Sequence, residues 1–487
     1  MHTPQSKHPP SLRVFFATEM WERYGFYVVQ SLLALYLARH FKWPDKDVYA
    51  LVGSFTALTY LSPVIGGWIA DHLLGQKRAI LAGACFLFLS YLSLSLLNSD
   101  QGLTVSLAGI AVGTGLLKPN ISSLLGNEYP IDSPKRESGF TIFYMGITTG
   151  IILGTTLPSL LHSHFGWPVA FASAALGMVI AFAVFVFGVY IYHIADYHPF
   201  EFRIDKLIKS ILMMIFLWLL SFSILEYPIF ADSAFGGVVL LSLGYLIYCA
   251  KRETAQQARQ TVVIGLLCII SVMFWAFYFQ MFMSLTLFIS RVVEPKLFGI
   301  QFPPPYYVGI QSVGMIIFGY FLARGKKELN IVQSGIRTSN KFILAMIFMT
   351  IAYTLIALVS HNSLGASLLS PLYFIPAYLM ISIAELLLSP VGLSAITVLA
   401  SRKKVSTMMG IFFVSLGIGG FLSGKLANLT SIKSDELTIT KLKIHYASTF
   451  TELLYILLAA TLVCFILGYF IKSLLLRNQN DVNKSAG

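Results

Sequence analysis

Charge is what this chain has least of. Asp, Glu, Lys and Arg make up 11% of its 487 residues, against roughly 25% in soluble domains. Long polar segments are missing too, so no sizeable soluble signalling domain is expected. Cysteine is sparse, and Cys85, Cys249, Cys268 and Cys464 all fall in apolar stretches. They read as buried thiols, with no disulfide framework and no zinc spacing. No Gly-Lys-Ser/Thr phosphate loop occurs, so ATP drive is not expected. The histidines are scattered; His193 and His198 share a loop without metal-ligating company, and no metal site is predicted. The first apolar run is too long for a cleavable leader and lacks a small-residue cleavage site.

What the chain has in abundance is hydrocarbon. Hydrophobic residues reach 56%, and the mean hydropathy is +0.74. Fourteen apolar spans can be read at about 12–38, 48–71, 78–97, 102–125, 138–162, 167–192, 207–226, 233–250, 261–290, 306–323, 341–360, 368–399, 405–429 and 449–475, several of them longer than the about 20 residues a bilayer requires. The fold class expected is an all-α polytopic membrane protein. The net charge of +12 does not point to nucleic acid, because the cations gather in alternate loops: 23 of the 34 Lys and Arg residues fall on one side. They include Lys7 and Arg13, Lys135 and Arg136, Arg324, Lys326 and Lys327, and Arg402, Lys403 and Lys404. The other side holds Arg39, Arg291 and Lys433 among others. The positive-inside rule then places both termini in the cytoplasm.

The only longer polar connections flank the seventh and eighth spans, at His193–Lys209 and Lys251–Gln260, and Glu253–Gln260 reads as a short cytoplasmic helix. The spans divide as six, two and six: an N-terminal bundle at 1–195, two inserted helices at 196–260 and a C-terminal bundle with its tail at 261–487. Two six-helix halves suit alternating access between repeated bundles. With Glu226 at its outer turn, the middle pair reads as peripheral and lipid-facing.

Against this background the charges inside spans stand out. Glu19, Glu22 and Arg23 share one face of the first span, with Tyr27 a turn above Arg23. A charge at mid-membrane costs at least about 2.5 kcal/mol on insertion scales, so the three must face protein or a watery cavity. A fixed salt bridge and a proton or substrate relay both fit. Lys118 lies in the fourth span, directly before Pro119, which removes a backbone hydrogen bond at that level; an ammonium there is costly unless paired, with snorkelling to the interface as the alternative. Glu385 lies in the twelfth span, with Ser389 one turn on and Pro390 beside it. Either a protonated, packed carboxyl or a pathway residue fits there.

Pro63–Arg78 contains small Gly66 and Gly67, then Asp71, His72, Gly75, Lys77 and Arg78. Asp71 with Lys77 and Arg78 reads as a gating latch on the cytoplasmic face. This loop resembles the signature between the second and third helices of the major facilitator superfamily, although His72 stands where that superfamily often has Arg. Glu19-x-x-Glu22-Arg23, Gly115-Leu-Leu-Lys118-Pro-Asn120, Phe143-Tyr144-Met-Gly-Ile and Glu385 through Gly392 together resemble the proton-dependent oligopeptide transporter family. That resemblance covers nearly the whole chain. Bacterial members share the two inserted helices, which implies the superfamily fold in a bacterial inner or plasma membrane.

The resemblance implies roles. Glu19, Glu22 and Arg23 would couple protons. Lys118 would face a peptide carboxylate or pair with a first-helix Glu, and Glu385 would hold the peptide's amino terminus. Tyr27, Tyr60, Tyr144, Trp275 and Ser389 would line the substrate cavity. The implied function is proton-coupled import of di- and tripeptides or peptide-like solutes, with no cofactor beyond the proton and no enzymatic activity. Departures from the family stand at Gln30, Thr148, Phe279, Gly314-Met315 and Phe412, where family members often carry Arg, Asn, Glu, Asn-Pro and Trp. They leave open a proton-coupled carrier of another small solute. A transporter-like sensor or membrane enzyme lacks any nucleophile–base pair or metal site to support it. Oligomeric state is not legible.

Overall fold

A backbone crossing hydrocarbon has to satisfy its own hydrogen bonds, and in the computed structural model of the protein this chain does so with helices. The structure describes residues 7–130, 133, 135–196, 203–322, 331–362, 367–401, 404–432 and 438–486. His198, Arg324, Lys326, Lys327, Arg402, Lys403 and Lys433 lie outside the described residues.

The helices are α1 (Leu12–Arg39), α2 (Asp45–Ile69), α3 (Gln76–Leu96), α4 (Asp100–Asn127), α5 (Arg136–Phe165), α6 (Trp167–Tyr192), α7 (Ile204–Glu226) and α8 (Pro228–Arg252). They continue as α9 (Ala255–Tyr278), α10 (Ser284–Val292), α11 (Pro305–Leu322), α12 (Ile331–Asn362), α13 (Ile375–Leu399), α14 (Val405–Ala427) and α15 (Ile439–Ala486). Among the described residues, twelve helical segments are long and apolar enough to cross a membrane, with α9 and α10 counted as one. Two further helices complete the fourteen spans: α1, whose apolar character is diluted by Glu19, Glu22 and Arg23, and α11, which is 18 residues long.

Three elements differ from the sequence reading. The ninth span is not one helix: α9 tightens into a 3-10 turn at Phe279–Phe282 and restarts as α10. Gln280 explains the break locally, because its amide donates to the Ala276 and Ser423 carbonyls while its carbonyl accepts from Ser284. Those bonds hold a buried polar side chain where a smooth apolar helix is expected. Glu253–Gln260 is no separate helix either. Thr254 caps α9, its hydroxyl accepting from the Gln257 amide, and the helix runs on from Ala255. A small hairpin pairs Lys296–Leu297 with Ile300–Gln301, turning at Phe298 and Gly299, both with positive φ.

The chain forms two compact units. One contains the chain up to Tyr36 and Leu58–Ala231; the other contains Leu37–Ala57 and everything from Asp232 on. In the first unit, glycines set how closely backbones approach. A Cβ on Gly66 of α2 would lie 2.0 Å from the Gly115 carbonyl of α4, whereas Gly67 has room, with its nearest such contact at 3.9 Å. On α5, Gly146, Gly150 and Gly154 recur every four residues and lie against the Phe16, Met20 and Tyr24 carbonyls of α1. Small residues at this spacing permit close helix crossings in membranes. The stripe presses α1 against α5 along the turn that carries Glu19–Arg23.

We expect Gly150→Ala to disturb that turn. The added Cβ would meet the Met20 oxygen at 2.3 Å and the Arg23 Cβ at 2.8 Å. Overpacking of this kind destabilises by about 1–3 kcal/mol. Thermal unfolding in detergent checks it against Gly236→Ala, whose Cβ would meet nothing within 4 Å. Equal melting temperatures would show that α1 gives way freely.

In the second unit, Gly419 lies against Trp275, Gly420 against Thr56, and Gly424 against the Tyr49 carbonyl, so the first turns of α2 pack on α14. At the start of α2, Asp45 accepts two hydrogen bonds from Arg291 of α10, at 2.7 and 2.8 Å, and Arg291 also donates to the Tyr446 hydroxyl of α15 at 2.8 Å.

Candidate functional site

In the first unit, α5 packs closely on the charged turn of α1, and Glu19, Glu22 and Arg23 are all buried. Their pairing is uneven. Arg23 donates to both oxygens of Glu22, through Nε to Oε2 and through Nη2 to Oε1 at 2.5 Å. This two-point fork is the strong geometry for a guanidinium and a carboxylate. Glu19 is held more loosely, its Oε1 3.6 Å from Arg23 Nε. Its Oε2 is buried and meets no hydrogen-bond donor among the described residues. A buried carboxylate oxygen without a donor is costly while ionised, and protonation removes the charge part of that cost. The sequence put Glu19 and Glu22 on one face; only the packed structure tells them apart.

Lys118 joins this group from α4. Its ammonium lies 5.1 Å from the ring centroid of Tyr60 on α2, within cation–π range. It also feels the charges of Arg23, Glu22 and Glu19. Two acids and two bases thus share one interior region of the unit, and their formal charges balance. Tyr27 is half-buried, its ring edge-on to Phe26. Tyr144, on α5, is 52% exposed.

In the second unit, Glu385 of α13 accepts a hydrogen bond from Gln311 Nε2 of α11 at 2.7 Å, and Tyr278 of α9 lies near it. Ser382, one helical turn before Glu385, donates to the Gln311 carbonyl at 2.7 Å and so fixes the α11–α13 contact. Trp275 packs edge-on to Tyr278, with ring centroids 4.7 Å apart, and stacks on Phe279. Its buried indole N–H finds no acceptor among the described residues. Ser389 is half-buried, one turn beyond Glu385. Gln311 and Tyr278 were not singled out from the sequence; a lone Gln within an apolar span was the available signal for the first.

The turn between α2 and α3 is shaped by a π-helical segment at Ala70–Leu74, closed by Gly75 at φ 82°. Asp71 and Arg78 are exposed. Lys77 turns to the end of α6: its backbone N–H donates to Asp196 at 2.9 Å and its ammonium to the Ile194 carbonyl at 3.0 Å. Outside the spans, Lys404 precedes α14 and pairs with Glu253 at 2.8 Å; that hydrogen bond raises the lysine's pKa. No cluster of three or more potential metal-ligating side chains occurs among the described residues.

Helical spans with charged groups buried among them define a multi-pass membrane protein, and comparison with known proteins gives the family. A sequence model of the POT family matches residues 77–442, and the chain belongs to that family. It is 30% identical over 439 residues to dipeptide and tripeptide permease A of Edwardsiella piscicida, covering 88% of each chain. It is 28% identical over 469 residues to the permease of the same name from Proteus mirabilis, covering 93% of this chain and 94% of that one. A crystal structure of a peptide transporter in complex with sulfate superposes with a TM-score of 0.81 at 26% identity, over 97% of both chains. A tetrameric peptide transporter, 24% identical over 95% of this chain and 99% of its own, shares the fold with a TM-score of 0.83. Members of the family are transporters, not enzymes.

Proposed function

We propose that this protein is a proton-coupled symporter of di- and tripeptides or close analogues, working by alternating access without a cofactor. The observation that carries this reading is the buried acid–base group on α1 and α4, in which Glu19 has an oxygen without a donor among the described residues. Such a carboxyl is suited to gain and lose a proton while Glu22 keeps Arg23 in place. The names of the permease relatives support the substrate class.

In this reading Glu19, Glu22 and Arg23 couple the proton. Lys118 answers a substrate carboxylate, and Glu385, held by Gln311, receives the amino terminus. Tyr27, Tyr60, Tyr144, Trp275 and Ser389 contact the substrate, and Asp71, Lys77 and Arg78 gate the cytoplasmic face. The helices at 1–195 and 261–487 form the moving halves, with 196–260 as an insertion. Both termini are cytoplasmic, in keeping with the cation bias of the loops.

Uptake into proteoliposomes under an imposed inward proton gradient tests the reading. A neutral dipeptide should accumulate above equilibrium, and its N-acetylated form should compete poorly. A hydrogen bond to a charged group contributes about 1.5–3 kcal/mol, so Glu385→Gln should weaken the free dipeptide roughly ten- to a hundredfold and the acetylated one hardly further. If both weaken equally, Glu385 is no amine receptor. If wild type takes up neither at millimolar concentration, the carrier serves another solute.

A further inference from the structure

An apolar groove of about 620 Å³ lies within the second unit, between α8, α9 and α14. That volume falls in the roughly 300–1,000 Å³ range of small-molecule sites. Phe235 and Gly236 of α8, Ile269 and Met273 of α9, and Leu422 of α14 form its walls. α8 leans little on the rest of the protein: 11% of its apolar stretch is buried. A Cβ on Gly236 would find no atom within 4 Å, so the groove is open along that helix.

Two opposite charges also line the groove. Lys425 Nζ lies 2.6 Å from Asp232 Oδ1, and the two side chains are 46% and 52% exposed. The lysine ammonium sits 5.2 Å from the Phe421 ring centroid. Neither charge is sealed by protein, so both remain available to a third group. Water is a poor filling for this space, because a buried water needs two to four polar partners and Ser415 on the wall already bonds Ser271. In a bilayer the available filling is hydrocarbon, and the adjacent charges select what that hydrocarbon is attached to.

We propose that this groove is a binding site for one phospholipid with a zwitterionic, ammonium-bearing headgroup. An acyl chain fills the apolar walls, the phosphate meets Lys425, and the ammonium meets Asp232. A primary ammonium offers N–H donors to the carboxylate; a quaternary one does not. The lipid thereby fastens the inserted helix α8 to α9 and α14.

The test uses full-length protein reconstituted in discs of equal phosphatidylethanolamine, phosphatidylcholine and phosphatidylglycerol. Lipid retained after mild detergent extraction is counted by native mass spectrometry. Wild type should keep one phosphatidylethanolamine per chain, favoured about tenfold over the other two, as one charge-assisted hydrogen bond provides. Gly236→Phe should fill the groove and lose the lipid. Gly244→Phe, on the same helix, also with nothing within 4 Å of its Cβ and outside the groove lining, should keep it. Asp232→Asn should retain lipid but lose the preference for ethanolamine. Equal retention by wild type and Gly236→Phe, or no headgroup preference in wild type, would overturn the site and leave only annular lipid. If Gly236→Phe does not fold, the headgroup preference of wild type against Asp232→Asn decides.

Discussion

Glu19→Gln is expected to abolish proton-driven accumulation while the protein still folds and still exchanges substrate; Glu22→Gln is expected to lose stability as well. The two acids differ in what they hold. Glu22 accepts both hydrogen bonds of the Arg23 fork, and all three side chains are buried. Neutralising Glu22 strands a buried guanidinium, and breaking a buried ion pair from one side costs about 3–5 kcal/mol. Glu19 contributes only a 3.6 Å contact to Arg23 and has an oxygen without a donor among the described residues, so a neutral amide in its place costs less and resembles the protonated carboxyl. The measurements are melting temperature in detergent, counterflow exchange, and uptake under an imposed proton gradient. Glu19→Gln should melt near wild type, exchange, and never exceed equilibrium. Glu22→Gln should melt well below it. Gradient-driven accumulation in Glu19→Gln would remove that residue from coupling, and equal melting of the two variants would contradict the unequal pairing.

Asp45→Asn is the other change expected to have a large effect. The Asp45 side chain is 3% exposed and that of Arg291 21%. Asp45 accepts two hydrogen bonds from Arg291 and a third from the Ile432 backbone N–H at 3.1 Å. Arg39 lies close by and donates to the Ser290 carbonyl at 3.1 Å, so loss of the carboxylate removes the counter-charge from a region with two cations. The same one-sided penalty of about 3–5 kcal/mol applies. Asp45→Asn should therefore lower the melting temperature markedly. Asp45→Leu combined with Arg291→Met should recover much of the loss, because replacing both members of a buried pair with apolar groups is often neutral. A double variant as unstable as the single one would show that the geometry around Tyr446 and Ile432, rather than charge pairing, carries the stability.

Much of this protein was legible in one dimension because hydrocarbon is a demanding solvent. A bilayer admits only internally hydrogen-bonded spans, so hydropathy marked the helices, and the penalty on membrane charge singled out Glu19, Glu22, Arg23, Lys118 and Glu385 as residues needing partners. Glycine pairs signalled close helix contacts, and at Gly66 the contact is there, whereas a Cβ on Gly67 beside it would meet only Pro119, at 3.9 Å. Periodicity says which residues share a helix face and nothing about which neighbour arrives. The fork between Arg23 and Glu22, the donorless oxygen of Glu19, the Gln311 bond to Glu385 and the Arg291–Asp45 pair across 246 residues of sequence all depend on helices meeting in space. The 3-10 break at Phe279–Phe282 belongs with them, because Gln280 finds the Ser423 carbonyl only once α9 and α14 have packed. Burial without water made each polar group costly, which one sequence shows; the identity of its partner followed from packing, which only the tertiary structure decides.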